Sequence, residues 1–203
     1  KILALQSADK IISVSNYTKM RMDQEIEGLK GKFAIIPNTV DTEKFKIMER
    51  SQGFIKKFNL ENKKIILTVC RLSASERYKG YDRVILAMPE ISKLIPDAVY
   101  LIVGGGSDEE RIKKIISDNG LFNKVVLTGR VSEEELLEAY RVATVFAMPS
   151  TGEGFGIVFI EATSAGVPVV AGNKDGSVDA VLGGDLGILV DPENIKEIGE
   201  ALI

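Results

Sequence analysis

The chain has 203 residues, 45% of them hydrophobic and 27% charged, with a formal net charge of −3. That is the composition of a folded globular protein, and a mildly negative chain gives no electrostatic case for a nucleic-acid partner, which needs a basic face. A single cysteine, Cys70, excludes an internal disulfide and fits a reducing compartment, and the absence of histidine excludes histidine acid–base chemistry and histidine metal ligands within the chain.

No apolar run approaches the roughly 18–20 residues needed to span a bilayer, and no secretory leader is visible. The chain begins without Met and stops inside an amphipathic helical stretch at residues 194–202, which reads as a piece of a longer protein.

In chain order, residues 10–15 read as a strand, and Ser15 or Asn16 caps a helix running to about Gly28. Residues 33–36 form a short strand closed by Pro37-Asn38, and residues 41–44 a capped turn. The charged stretch 46–61 predicts a helix. From Lys64 the alternation becomes regular. Strands fall at 65–70, 99–103, 125–128, 144–148, 169–171 and 187–190, with a further element at 178–182. Helices fall between them at 80–94, after Ser107 as N-cap, and after Ser132 as the start of a capping box, with one more at the end. Strands alternating with helices of three or four turns predict βαβ units, hence an α/β, Rossmann-like, doubly wound parallel sheet with helices on both faces. The length exceeds one minimal domain of this kind, so extra elements at an end are expected.

In such a sheet ligands bind at the carboxyl ends of the strands. The loops there hold Arg71, Lys79, Arg130, Glu153 and Asp175, with eight of the 19 glycines. That clustering points to a polar, anionic ligand. The stretch 149–172 organises the site. A loop carrying Gly152, Glu153, Gly154, Phe155 and Gly156 opens a helix at Ile157, and such a start directs unpaired N–H groups and partial positive charge at a ligand. Arg71 and Lys79 reach the same crevice and can neutralise a diphosphate. With Glu161 two turns inside the helix, it and Glu153 lie roughly 10 Å apart at ~1.5 Å per residue, as two grips on one long ligand. Glu161 sits among apolar neighbours and requires a partner, since an unpaired buried carboxylate costs several kcal/mol. Gly129-Arg130-Val131 ends a strand and can meet a base edge or serve only as a turn. Gly104-Gly105-Gly106 fails the dinucleotide pattern, which needs Gly where Glu109 stands. Cys70, without a histidine partner, reads as a small core residue.

Glu153-Gly-Phe-Gly-x-x-x-x-Glu161 followed by Ala-Gly-Val-Pro-Val-Val-Ala resembles the E-x7-E motif of family 4 retaining glycosyltransferases. Residues 8–15 and 35–41, Arg71 with Lys79-Gly80, residues 103–107, 127–131 and 187–192 are similar to that family as well, so the resemblance covers nearly the whole chain. It implies the C-terminal half of a GT-B fold, with residues 1–45 ending an N-terminal domain or linker and 46–203 forming the donor-binding domain. It implies that Arg71 and Lys79 bind the diphosphate of a UDP-, GDP- or ADP-sugar. Glu153, Gly154, Phe155, Gly156 and Ile157 would hold the transferred sugar, Glu161 the ribose, and Gly129, Arg130 and Val131 the base. No cofactor and no metal are implied. The acceptor, a glycan or lipid, would be held by an N-terminal domain, in a cytoplasmic protein that can sit peripherally on a membrane. Where the family reads Gly-Gly-x-x-Glu, this chain reads Asp175-Gly176-Ser177-Val178-Asp179, which leaves the role of that loop open. Three rival readings are a glycoside hydrolase using Glu153 and Glu161, a non-catalytic nucleotide-binding module and a sugar-nucleotide 2-epimerase. Two cations facing an uncharged substrate weigh against the hydrolase, the failed glycine pattern against the module, and the E-x7-E wording against the epimerase.

Overall fold

The computed structural model of the protein describes residues 2–203. Its elements are α1 (Ile2–Ser7), β1 (Ile11–Ser13), α2 (Asn16–Glu25), β2 (Phe33–Ile35), α3 (Gln52–Lys57), β3 (Lys64–Val69), α4 (Tyr81–Leu94), β4 (Ala98–Val103), α5 (Glu109–Asp118), β5 (Val125–Gly129), α6 (Glu133–Val142), β6 (Val145–Met148), α7 (Ile157–Ser164), β7 (Val169–Gly172), α8 (Ser177–Ala180), β8 (Gly187–Val190) and α9 (Ile195–Ala201). Strands β1 and β2 form a separate two-stranded parallel sheet.

The other six strands form one parallel sheet in the order β5-β4-β3-β6-β7-β8. The strand residues explain it. Ala98-Val-Tyr-Leu-Ile-Val103 is buried at every position, as a parallel strand covered on both faces must be. Helix α4 packs against α5 and α9, while α3 packs on α6 and α7 on α8, which gives the two helical layers of the doubly wound fold. Tyr140, Phe146 and Phe159 stack and cross under the centre of the sheet. The chain leaves β3 in one direction and, through β6, returns in the other. The order of the sheet therefore reverses between β3 and β6, and the loops following those two strands face each other across a crevice.

Three local expectations are corrected. The helix over 46–61 shrinks to α3, because Ser51 caps it by accepting from Phe54 N–H, and Ile47 and Met48 instead lie across Gly166 and Arg141. Ser107 is not the cap of α5. Its hydroxyl accepts from the amide of Ala74 in the facing loop, and Asp108 holds the cap position without a side-chain cap bond. Helix α7 begins at Ile157, so Glu161 stands one turn inside it and not two. The capping box at Ser132 forms as expected, with Glu135 reaching back to the Ser132 amide.

Candidate functional site

The crevice is built on two loops, those after β3 and β6. After β3 the chain runs through Arg71 into a 3-10 turn, Ala74–Lys79, that ends at Gly80. This turn is fixed from below by Asp108. The Asp108 carboxylate accepts from Tyr81 Oη at 2.9 Å, Arg77 Nε at 3.0 Å and Arg111 at 2.6 Å. Burial pushes the carboxyl upward, but the hydrogen bonds from Arg111, Arg77 and Tyr81 outweigh it and hold it down at about 2. The ion is thus kept charged, and it ties the loop to α5.

Lys79 projects from the end of that turn with its side chain 15% exposed. It donates to Glu153 Oε1 at 2.8 Å and lies 3.6 Å from Glu76 Oε2. Burial lowers the Lys79 ammonium and the Glu153 hydrogen bond raises it, with the net shift upward. Arg71 stands on the exposed rim and pairs with Glu76. The two cations expected at the crevice are therefore there, and both already have carboxylate partners within the chain.

After β6 the loop carrying Glu153 leads into α7. Gly156 caps that helix at φ +85 without a side-chain cap bond, and no acid follows in the first turn. Any side chain at Gly156 would be strained by that φ and would strike the Phe159 ring at 2.4 Å. The positive end of α7 is left unscreened by any acid of its own. One turn on, Glu161 Oε2 accepts from Tyr140 Oη at 2.6 Å. Glu161 is half-buried, less enclosed than its apolar sequence neighbours suggest, and Tyr140 supplies one partner that orients the carboxylate.

The loop after β7 supports the Glu153 loop from behind. Asp175, 2% exposed, accepts from Ser150 Oγ at 2.7 Å, from the Glu153 amide at 2.7 Å and from the Ser177 amide at 2.9 Å. Gly176 passes so close that a Cβ there would lie 2.2 Å from the Gly154 carbonyl oxygen. The Gly154 carbonyl accepts from Ser15 and Thr18, and Asp179 accepts from the Asn16 and Tyr17 amides at 3.2 Å each and from Asn16 Nδ2 at 2.7 Å. The stretch 175–179, whose role the sequence leaves open, is a scaffold joining the glycine loop to the first turn of α2.

Two adjoining cavities result. A groove of about 670 Å³ holds Arg71, Lys79, Arg130, Val131 and Glu161, with Lys44 and Phe45 along one side. A hollow of about 350 Å³ is lined by Glu153, Gly154, Phe155, Gly156 and Ile157. Lys79 and Val158 border both. Arg71, Lys79, Glu153 and Glu161 thus fall at one crevice, the carboxylates in different compartments. Gly129 precedes Arg130 at the edge of the groove, and its carbonyl accepts from the Gly104 amide at 2.9 Å. The glycine clustering also has a packing component, because Gly104 and Gly172, like Gly176, lie against carbonyls of facing loops. Burial pushes the Cys70 thiol up to about 12, as befits a core residue. Glu76, Asp108 and Tyr140 were not singled out as site groups by sequence, and Asp175, counted among the loop residues, supports the Glu153 loop through its buried hydrogen bonds. Among the described residues no cluster of three or more His, Cys, Asp or Glu side chains is arranged to hold a metal ion.

The family model described as "Glycosyl transferases group 1" matches residues 51–203, which is the whole six-stranded unit. The GDP-mannose-dependent alpha-(1-6)-phosphatidylinositol monomannoside mannosyltransferase of Mycolicibacterium smegmatis is 34% identical over 203 residues, covering 96% of this chain and 52% of that protein. The mannosylfructose-phosphate synthase of Agrobacterium fabrum is 30% identical over 212 residues, covering 98% of this chain and 45% of that protein. Among solved structures, sucrose-phosphate synthase from Thermosynechococcus elongatus superposes with a TM-score of 0.83 at 26% identity, over 99% of this chain and 50% of the other. The Anabaena protein HepE, solved with UDP, shares the fold with a TM-score of 0.84 at 23% identity, over 98% and 54%. The chain therefore spans about half the length of the curated relatives it matches. Its match to the family model and its identity to these relatives agree with its GT-B-type sheet: the chain belongs to the group 1 glycosyl transferases.

Proposed function

We propose that this chain is the donor half of a retaining hexosyltransferase that moves a sugar from a nucleoside diphosphate to a glycan or lipid acceptor. One observation carries the reading. At the point where the sheet order reverses, a groove lined by Arg71 and Lys79, with Lys44 and Arg130 also on its walls, opens past the N-terminus of α7, which has no acid in its first turn, into a smaller hollow bordered by Glu153. A long ligand with a diphosphate at its middle fits that sequence of chemistry. Glu161 and the Arg130-Val131 end of the groove take the nucleoside, and Glu153 with the backbone of Gly154, Phe155 and Gly156 takes the sugar. As the glycosidic bond breaks, charge develops on the diphosphate, and Lys79, Arg71 and the α7 amides are placed to stabilise it.

The relatives named for GDP-mannose and for phosphatidylinositol mannoside or sugar-phosphate products support a nucleotide-sugar donor and a hydroxyl acceptor. We assign acceptor binding to a second domain, of which residues 1–45 form the end. Consistent with that assignment, α1 and α2 bury no residue, and Leu3, Ile12, Met20 and Ile36 are exposed. No helix among the described residues is long and apolar enough to cross a membrane; we place the protein in the cytoplasm, with peripheral contact to a membrane where the acceptor is a lipid. The hydrolase reading loses support, because Glu153 is ion-paired to Lys79 and Glu161 is held by Tyr140 in the other compartment.

The test is calorimetry and thermal shift with a panel of UDP-, GDP- and ADP-sugars and their diphosphates. One diphosphate series binds, and Lys79→Ala and Glu161→Ala each weaken it by about tenfold or more, as for loss of a charge-assisted hydrogen bond. If neither diphosphates nor conjugates bind, the donor-site reading is wrong.

A further inference from the structure

The donor-site reading gives the diphosphate to Arg71 and Lys79, yet neither cation is free. Arg71 pairs with Glu76, and Lys79 lies between Glu76 and Glu153. The four side chains sum to no net formal charge. Glu153 has a place in that reading at the sugar end; Glu76 has none. It lies in the turn between the two cations, its side chain is 11% exposed, and its Oε2 is buried with no hydrogen-bond partner, 3.6 Å from the Lys79 ammonium. A desolvated carboxylate oxygen without a donor is unfavourable by itself. Only the neighbouring cations compensate it, and they are the ones a diphosphate would take.

We propose that Glu76 is an internal competitor for the diphosphate, occupying Arg71 and Lys79 as phosphate oxygens would and so setting how tightly the leaving nucleoside diphosphate is held. The inference rests on the donor-site reading. A carboxylate and a phosphate accept from a guanidinium or ammonium in the same way, so one displaces the other. Once displaced, Glu76 remains in the turn as a like charge beside the bound anion. The free diphosphate carries one more ionisable oxygen than its sugar conjugate, so this repulsion acts more strongly on product than on donor. A cation pair without Glu76 would grip the product; with Glu76 beside it, the pair attracts the donor and lets the product go.

The experiment is calorimetry on this 203-residue chain and its Glu76→Gln variant, which keeps the size of the side chain and an acceptor for Arg71. The titrants are UDP, GDP, the corresponding sugar conjugates, inorganic pyrophosphate, and the nucleosides uridine and guanosine. Glu76→Gln binds the preferred diphosphate and pyrophosphate about tenfold more tightly, on the scale expected for removing one charge within a few ångströms at a partly buried site. It tightens the sugar conjugate less and leaves the nucleoside unchanged. Glu76→Ala, carried in parallel with a thermal melt, moves affinity in the same direction even if the buried amide is poorly tolerated. If diphosphates bind the unsubstituted chain but both variants bind them equally or more weakly, Glu76 is a structural partner of the cations and the inference fails while the donor site stands. Equal tightening of the nucleoside overturns it too, since the effect would not be one of charge on the phosphates. If no diphosphate or conjugate binds either form, the donor-site reading fails and takes this inference with it.

Discussion

Asp108 is 1% exposed and gathers Tyr81, Arg77 and Arg111 around one carboxylate, beneath the turn that presents Lys79. Its carboxyl is held at about 2, against 3.8 for an ordinary aspartate. A depressed value of this kind contributes stability that is complete above the ordinary value and is lost as pH falls toward the folded one. The window is therefore about pH 4 to 2, and the contribution is about 2 kcal/mol. Asp108→Asn should be destabilised at pH 7 by that amount or more, and the gap to the unsubstituted chain should narrow between pH 4 and 2.5 in urea melts. A gap of constant size would show that charge on Asp108 is not what anchors the loop. Nothing in the sequence marks this residue out. It precedes two glutamates at a helix start, where any acid fits the dipole, and its partners lie in the turn, in α4 and along α5. The cations Arg71 and Lys79 were legible because they follow a strand and precede a helix in a recognisable alternation. Their neutralisation by Glu76 was not, because it depends on the path of a six-residue 3-10 turn that has no periodic signature.

At the level of elements, the strands were readable to within two residues and the starts of the long helices to within one, while α2 ends at Glu25, short of the expected Gly28. Apolar runs such as 98–103 and box-type starts such as Ser132 state their structure locally. What failed was local structure decided by distant partners. The stretch 46–50 is a strap over α6 and α7 instead of a helix, and the loop 175–179, whose role the sequence leaves open, braces the Glu153 loop. The same loop ends in Asp179, which acts on α2 from outside it. Ser15 caps α2 by accepting from Thr18 N–H, and Asp179 takes the Asn16 and Tyr17 amides, so three oxygens of two side chains from different parts of the chain cover one helix start. Asp179→Ala should lower stability by about 1 kcal/mol, the usual worth of a cap. It should also speed amide exchange at Asn16 and Tyr17 while leaving α6, with its own capping box, unchanged. Unaltered exchange at those two amides would mean that water replaces the carboxylate without cost.

Across the whole molecule the two sheets are unequal. The six-stranded sheet has four strands buried throughout or nearly so and a continuous core, whereas β1 and β2 pair only with each other over three residues. An isolated two-stranded sheet is marginal in water, and the outward face of β1 presents Ile12 to solvent. This first segment is joined to the glycine loop by the Ser15 and Thr18 bonds to the Gly154 carbonyl and by Asp179. Stability should therefore be uneven, with residues 11–35 opening as a unit at a free energy well below that of the main sheet. Native-state hydrogen exchange measures this directly. The amides of Ile11, Ser13 and Ala34, which face the paired strand, should exchange through an opening several kcal/mol cheaper than the one exposing β3 and β4. The link also gives the measurement a functional reading. A ligand that orders the Glu153 loop binds the closed form preferentially, so a nucleotide-sugar at 100 times its Kd would raise the opening free energy by at most about 2.7 kcal/mol. Protection should then increase in β1 and β2, through the Gly154 bonds to Ser15 and Thr18 and through Val14, which lines the hollow. If ligand protects residues 153–161 and leaves 11–35 unchanged, the loop and the first segment are neighbours without being coupled, and closure of the two parts must be driven by the acceptor side.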